Sequence, residues 1–339
     1  MKEIIFFETT QNEKKILKTF KPQNCKLSFY PEKINEAPQQ SLKKAEIISV
    51  FIYSQVTQEI IKKCPKLKLI ATRSTGFDHI DIDFCQKKNI TVTNVPFYGE
   101  NTVAEHTFAL ILALSRKVHQ GYLRTIRGDF SFEGLQGFDL KGKTIGIIGT
   151  GHIGLHAIRI AKGFGMNVIA YDIFRNDFLS ETLGFQYVSF DELIKNADII
   201  SLHAPNRKET HHMINKDNIH KIKKGALLIN TARGSLVETE ALAIALDKGI
   251  LAGAGLDVLE GEELIKEERQ ILSKEYPVNH LKTMLQNHIL LNRENVVITP
   301  HIAFNSKEAF SRILETTMVN IDAYLKGKEE NSVFKKKKI

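Results

Sequence analysis

The 339-residue sequence has no stretch of about 18 uncharged apolar residues, so it offers no membrane-spanning helix. Its cysteines are few: Cys25, Cys64 and Cys85 show no C-x-x-C spacing and no companion histidine cluster. That argues against a zinc site and against a disulfide framework, and an odd number of separated thiols fits a reducing cytoplasm. The opening MKEIIFFETT carries an apolar run too short for a secretory signal, and Glu8 follows it directly. No short-period repeat and no nucleic-acid-binding motif is visible. The net charge of +8 does not change that reading, because half of it is the terminal run Lys335, Lys336, Lys337 and Lys338, of the kind that stays solvated. The remaining excess favours anionic ligands in general, with neither nucleic acid nor membrane expected as a partner.

The composition is that of an ordinary globular protein, with 42% hydrophobic and 25% charged residues. The length implies two domains rather than one. Short apolar runs alternate with helical patterns throughout: 4–7, 47–53, 67–70 and 90–95 in the first part, then 144–148, 168–171, 185–188, 199–203, 226–230, 253–258 and 296–299. This alternation predicts an α/β protein with parallel sheets flanked by helices. Between the two series, Thr102-Val103-Ala104-Glu105 matches a capping box, and a long apolar helix is expected over 106–123. The segment 263–294 reads as a helical insertion. A last helix from Ser306 to about Leu325 is expected to return to the first lobe.

In open α/β sheets, ligands bind beyond the carboxyl ends of the strands, and the reactive residues of the second series collect there. The run TIGIIGTGHIG places Gly149, Gly151 and Gly154 between a strand and a helix. They suit a tight turn, a close approach of backbone to a pyrophosphate, and close helix–strand packing. Asp172 ends the next strand, where a carboxylate can hold an adenosine ribose and repel a 2′-phosphate, favouring NAD; nearby Arg175 leaves NADP open. His203-Ala204-Pro205 closes another strand, and His203 reads as a packed residue rather than a catalyst. Arg233 follows the strand at 226–230 and presents a fork suited to a carboxylate. Asp257 precedes the acidic residues Glu260, Glu262 and Glu263. His301 stands at the last carboxyl edge, suited to proton transfer if a carboxylate lies nearby.

The runs GTGHIG, NTARGSLV, GLDVLEGEE and TPHIA resemble the D-isomer-specific 2-hydroxyacid dehydrogenases, and TRSTGFDHIDID with NVPFYGENTVAEHTFALIL resembles their D-lactate dehydrogenase branch. The similarity runs from about Lys44 through Glu315. It implies two Rossmann-like or flavodoxin-like lobes with a cleft between them that closes by hinge motion. The substrate domain would comprise 1–99 and 301–339, the NAD-binding domain 100–300, and the assembly a homodimer. By position, the resemblance makes Arg233 the substrate-carboxylate anchor, Glu262 rather than Glu260 or Glu263 the catalytic glutamate, and His301 the general acid/base. His152 and Ile153 match the glycine turn. Ala204, Pro205, Thr231, Ala232 and Asp257 match the nicotinamide side. Ser74, Thr75 and Gly76 match the loop that cradles the substrate carboxylate, and Tyr98 a substrate-side aromatic. Two features depart from the wider pattern: the spacing from Glu262 to His301 is long, and Asn305 stands where the branch often has Tyr.

The implied reaction is NADH-dependent reduction of a 2-keto acid, foremost pyruvate to D-lactate. Other 2-keto acids remain as alternatives: hydroxypyruvate, glyoxylate or 2-ketoisocaproate. From a different class, some relatives are NADH-sensing corepressors. A formate dehydrogenase is disfavoured because Pro300 precedes His301 where that branch has Gln.

Overall fold

The computed structural model describes residues 2–262 and 278–334. The lysine run 335–338 and Glu263 therefore lie outside the described residues. By contact the chain divides into two compact units, one formed up to Tyr98 and again from Ser306, the other Gly99–Asn305.

The first unit runs β1 (Lys2–Phe6), α1 (Gln11–Thr19), β2 (Cys25–Phe29), α2 (Gln39–Lys44), β3 (Ile47–Val50), α3 (Gln58–Lys62), β4 (Leu69–Thr72), α4 (Ile82–Lys87) and β5 (Thr91–Thr93). The strands pair in parallel in the order β2-β1-β3-β4-β5, the flavodoxin-like arrangement. Side chains alternate between two buried layers, as the two-residue strand period requires. Ile5, Ile48, Val50, Ile70 and Val92 fill one, and Ile4, Phe6, Ile47, Leu69 and Ala71 the other. Leu314, Met318 and Ile321 of the C-terminal helix, Lys307–Leu325, complete the second layer. Ser306 caps this helix by accepting the Ala309 N–H at 3.1 Å. Strand β2, absent from the sequence reading, is an edge strand whose Lys26 and Ser28 interrupt its apolar run.

The second unit continues with α5 (Glu100–Ser115), α6 (Val118–Thr125), β6 (Thr144–Ile148), α7 (His152–Gly163), β7 (Asn167–Tyr171), α8 (Asp177–Leu183), β8 (Gln186–Tyr187), α9 (Phe190–Asn196), β9 (Ile199–Leu202), β10 (Ala226–Asn230), α10 (Thr239–Asp247), β11 (Leu251–Leu256), α11 (Val278–Leu291) and β12 (Val296–Ile298). The sheet order is β12-β11-β10-β9-β6-β7-β8, all parallel, so the strand order reverses between β6 and β9. Both faces are covered: Ile145, Ile147, Leu227 and Ile229 pack with Phe108 and Ile158, while Ile148, Ile200, Leu228 and Leu256 pack with Leu193 and Leu242. Among the described residues, no helix is long and apolar enough to cross a membrane. Of the expected helical insertion, 278–291 is helical and 263–277 lies outside the described residues.

Two helix expectations are corrected. The capping box expected at Thr102–Glu105 does not start α5, which begins at Glu100 with Gly99 as its cap. Thr102 is already inside the first turn, and Glu105 instead accepts from Asn101 Nδ2 at 3.0 Å. The long helix over 106–123 is broken, because Phe138 N–H takes the Ser115 carbonyl at 2.9 Å and Lys117 turns left-handed at φ 52°. The segment 301–305, read from sequence with the substrate lobe, packs with the second unit. The amides of Ile302 and Ala303 there bind Asp257.

Candidate active site

The turn after β6 is built as tightly as glycine permits. Gly149 adopts φ 96°, and a Cβ on it would lie 2.7 Å from the His203 carbonyl oxygen. A Cβ on Gly154 would lie 2.0 Å from the Gly149 carbonyl oxygen, so α7 presses directly on the turn. Gly151 differs: nothing lies within 4 Å of where its Cβ would be, and as N-cap of α7 it supplies no side-chain acceptor. A helix N-terminus with an open approach and no acceptor of its own fits an incoming pyrophosphate. His152 and Ile153 are the first residues of that helix. Asp172, one residue past β7, accepts the Thr150 N–H at 2.7 Å and hydroxyl at 3.1 Å on one oxygen, and the Phe174 N–H at 2.9 Å on the other. The acid expected to meet the ribose thus also fastens the glycine turn.

Ala204 is buried and Pro205 exposed just beyond β9. His203 lies beside them with its Nε2 2.9 Å from Ser201 Oγ, and burial pushes its imidazole pKa from 6.5 down to about 4. It is a packed, neutral histidine, as the sequence suggested.

At the end of β4, hydroxyls shape the Ser74–Gly76 loop. Ser74 Oγ donates to the Gly76 carbonyl at 2.6 Å, so Thr72 Oγ1 donates to Ser74 Oγ at 2.7 Å and accepts from His79 Nε2 at 3.1 Å. Thr75 Oγ1 donates to the Val95 carbonyl at 2.8 Å. Tyr98 follows β5, its carbonyl accepting from Arg312 Nε at 2.6 Å. Arg73, next to the loop, is a fully buried arginine whose guanidinium donates to Ser49 Oγ and to the carbonyls of Phe7 and Glu8. The four residues expected on the substrate side, Ser74, Thr75, Gly76 and Tyr98, lie in the first unit, and the remaining predicted site residues lie in the second.

Beyond β10, the Asn230 side chain moulds the loop that carries Arg233: its Oδ1 accepts the Ala232 N–H at 3.0 Å and its Nδ2 donates to the Arg233 carbonyl at 2.8 Å. Thr107 donates to Val103, so the Thr231 hydroxyl donates to Thr107 at 2.9 Å. Gly234 then meets the acidic turn backbone to backbone, which brings the Arg233 loop against Leu259 and Glu260. Two residues further, Glu262 Oε1 stands 2.7 Å from His301 Nδ1. An ionised carboxylate only accepts, so Nδ1 carries the proton and Nε2 remains for chemistry. His301 itself takes a left-handed backbone, φ 57°, with its N–H on the Thr299 carbonyl at 2.9 Å. Strained conformations of this sort concentrate at functional sites.

Asp257 fixes the chain on either side of His301. It is buried and accepts from Thr299 Oγ1, the Ile302 N–H at 2.9 Å and the Ala303 N–H at 2.8 Å, with His106 Nε2 3.5 Å away. Burial alone would raise its pKa, yet hydrogen bonds from His106, Thr299, Ala303 and Ile302 outweigh that and hold it below the usual carboxylate value. Its role here is structural as well as positional.

The sequence reading missed several supports: His79 and Thr72 behind the Ser74 loop, His106 behind Asp257, and His212 with Thr239 around Glu260. His106, His212 and Thr239 are distant in sequence from the residues they hold, so only the fold reveals them; Thr72 and His79 lie within a few residues of Ser74, in the run that carries the loop, and it is their hydrogen bonding that the sequence does not show.

Residues 108–303 match the family model described as D-isomer specific 2-hydroxyacid dehydrogenase, NAD binding domain. A solved structure of D-lactate dehydrogenase from Aquifex aeolicus, complexed with NAD and lactic acid, is 40% identical and covers 98% of this chain and 99% of that one, with a TM-score of 0.88. A 2-hydroxyacid dehydrogenase homolog of Haemophilus influenzae is 35% identical over 96% of this chain and 97% of its own length. An aromatic 2-oxoacid reductase of Clostridium sporogenes is 41% identical over 80% of each chain. With an NAD-fitted glycine turn and a match spanning nearly its whole length, the chain belongs to the D-isomer-specific 2-hydroxyacid dehydrogenases, NAD-dependent oxidoreductases acting on D-2-hydroxy acids.

Proposed function

We propose that the chain is a D-lactate dehydrogenase, reducing pyruvate with NADH and a proton to D-lactate and NAD. The observation that carries this reading is the 2.7 Å pair between Glu262 and His301, set beside the Arg233 loop in one unit. Bound NADH supplies the hydride. Doubly protonated His301 gives the Nε2 proton to the carbonyl oxygen, while Glu262 keeps the ring oriented and stabilises its charged form. General acid catalysis of this kind is worth about 10²–10⁴-fold. Arg233 grips the substrate carboxylate and polarises the keto group. In the first unit, the family resemblance gives the backbone of Ser74, Thr75 and Gly76 the role of cradling the substrate carboxylate and Tyr98 that of a substrate-side aromatic. Thr231, Ala232, Ala204, Pro205 and Asp257 line the nicotinamide side. Gly149, Gly151, Gly154, His152 and Ile153 hold the pyrophosphate, and Asp172 the ribose.

A homodimer belongs to this reading. Its support is an apolar strip in and after α6, where Val118, Tyr122, Ile126, Phe130 and Phe132 are all exposed, the last at 88%. The cytoplasm is the proposed location, supported by three free, buried cysteines.

The similarity to an aromatic 2-oxoacid reductase favours a second reading, in which a larger 2-keto acid is preferred. A panel of pyruvate, hydroxypyruvate, glyoxylate, 2-ketoisocaproate and phenylpyruvate, each with NADH and NADPH, tests both by loss of cofactor absorbance. Pyruvate with NADH should give the highest kcat/KM. A higher value for another acid selects the second reading, and NADH binding without turnover of any acid would point to a sensor instead.

A further inference from the structure

The two described glutamates of the acidic turn, Glu260 and Glu262, hold different partners. While Glu262 reaches His301, Glu260 reaches back into the unit. Its Oε1 accepts the His212 Nε2 proton at 2.6 Å, and its Oε2 accepts from Thr239, from the hydroxyl at 2.7 Å and the N–H at 3.2 Å. Its carbonyl accepts from Asn287 Nδ2 at 2.8 Å, and the Glu262 N–H closes the turn onto the Leu259 carbonyl at 3.2 Å.

His212 is itself fixed. It takes a left-handed backbone, φ 49°; its N–H donates to the Ser235 carbonyl at 2.8 Å, its carbonyl accepts from Asn215 Nδ2 at 2.8 Å, and its ring stacks on His211 with centroids 3.9 Å apart. Ser235 lies two residues past Arg233, and Thr239 opens α10. Glu260 therefore joins the acidic turn to α10 through Thr239 and to the loop between β9 and β10 through His212, which in turn holds the Ser235 carbonyl of the segment that carries Arg233. With Gly234 against Leu259 from one side and His212 and Thr239 on Glu260 from the other, the turn has little freedom in where it presents its next glutamate.

We propose that Glu260, clamped by His212 and Thr239, is a positioning residue that sets the reach of Glu262 to His301. It touches no reacting atom and acts through Glu262, so the proposal rests on the reading of Glu262 and His301 as the proton-handling pair. An alternative role would be purely structural, a carboxylate that ties the N-terminus of α10.

The test uses the full chain with pyruvate and NADH, measuring kcat, KM, NADH affinity by fluorescence and the melting temperature. The variants are Glu260→Gln, His212→Asn, Glu262→Gln and the double Glu260→Gln/Glu262→Gln. Asn is chosen at 212 because it tolerates the left-handed backbone but is too short to reach Glu260. Small misplacements of a catalytic group can lower rates by about 100-fold, so Glu260→Gln and His212→Asn should each lower kcat by about 10- to 100-fold, with pyruvate KM and NADH affinity within about twofold. In the Glu262→Gln background, Glu260→Gln should change kcat by less than about twofold, since the residue through which it acts is gone. An equal loss in both backgrounds, or a kcat unchanged by Glu260→Gln and His212→Asn, overturns the proposal. If Glu260→Gln does not fold, His212→Asn decides alone, in the parent and in the Glu262→Gln background. Full activity of the single Glu262→Gln variant would instead sink the underlying reading of the pair, and this proposal with it.

Discussion

Gly234 and Leu259 meet backbone to backbone: a Cβ on Gly234 would lie 2.1 Å from the Leu259 carbonyl carbon. Backbone cannot yield as a side-chain tip can, so Gly234→Ala must push the Arg233 loop and the acidic turn apart. Overpacking of this kind costs about 1–3 kcal/mol, and a matching fall in unfolding free energy is expected, together with a kcat loss of at least about tenfold. Urea unfolding and steady-state kinetics check it. A variant as stable and active as the parent would show that the contact is unimportant.

Gly151 provides the contrast. Its backbone, φ −67°, suits any residue, and nothing surrounds the missing Cβ. Gly151→Ala should leave the melting temperature of the apoprotein unchanged while weakening NADH binding by about tenfold or more, because the methyl group occupies the approach to the helix N-terminus. Fluorescence titration measures this directly; unaltered affinity would place the pyrophosphate elsewhere.

His301 can be tested without disturbing its backbone. At φ 57°, Asn is tolerated better than Ala. His301→Asn should therefore retain NADH affinity and melting temperature while kcat falls by about 10²–10⁴-fold. His301→Ala should lose as much kcat with a lower melting temperature. Equal loss of NADH affinity and turnover in His301→Asn would mark the residue as structural.

His203 makes stability depend on pH. Burial lowers its pKa from 6.5 to about 4, so the unfolded chain takes up its proton first as the pH falls. The contribution is complete above pH 6.5 and drains between 6.5 and about 4, by roughly 3 kcal/mol at most. Unfolding free energies of the parent and His203→Asn across this window should converge as the pH falls. Parallel curves would refute the assignment.

Asp257 accepts from donors on both oxygens, so an amide cannot replace it without facing an N–H with its own NH₂. Asp257→Asn should destabilise the protein by about 2–4 kcal/mol and lower kcat through the displaced Ile302–Ala303 segment. Its lowered pKa adds an acid limb: the stability it contributes is present above the ordinary carboxylate range and is lost as the pH falls through its depressed value. Denaturant melts of parent and variant at neutral and acid pH measure both effects, and identical curves would remove Asp257 from this role.

Strands β6 and β10 were readable to the residue, because strands buried on both faces are nearly continuous apolar runs. Strand β2 was not, since an edge strand is only half buried. The break between α5 and α6 was hidden too: it depends on Phe138, far along the chain, claiming the Ser115 carbonyl. The same division holds at the site. The glycines, Arg233 and His301 stand out because residue types suited to a pyrophosphate, a carboxylate and proton transfer fall at strand ends, whereas Glu262 is told from its acidic neighbours only by the family resemblance. Glu260 looks in sequence like one more solvated acid, and only its contacts with His212 and Thr239 distinguish it.

The bond between Asp172 and Thr150 has a consequence for redesign. Exchanging this acid for a neutral residue is the obvious way to let a phosphorylated ribose enter. Here the exchange would also untie the glycine turn, so if Asp172 is the ribose acid, as proposed, coenzyme discrimination and the shape of the turn share one carboxylate. An engineer replacing Asp172 would have to supply a new acceptor for the Thr150 amide at the same time, or lose the turn along with the acid.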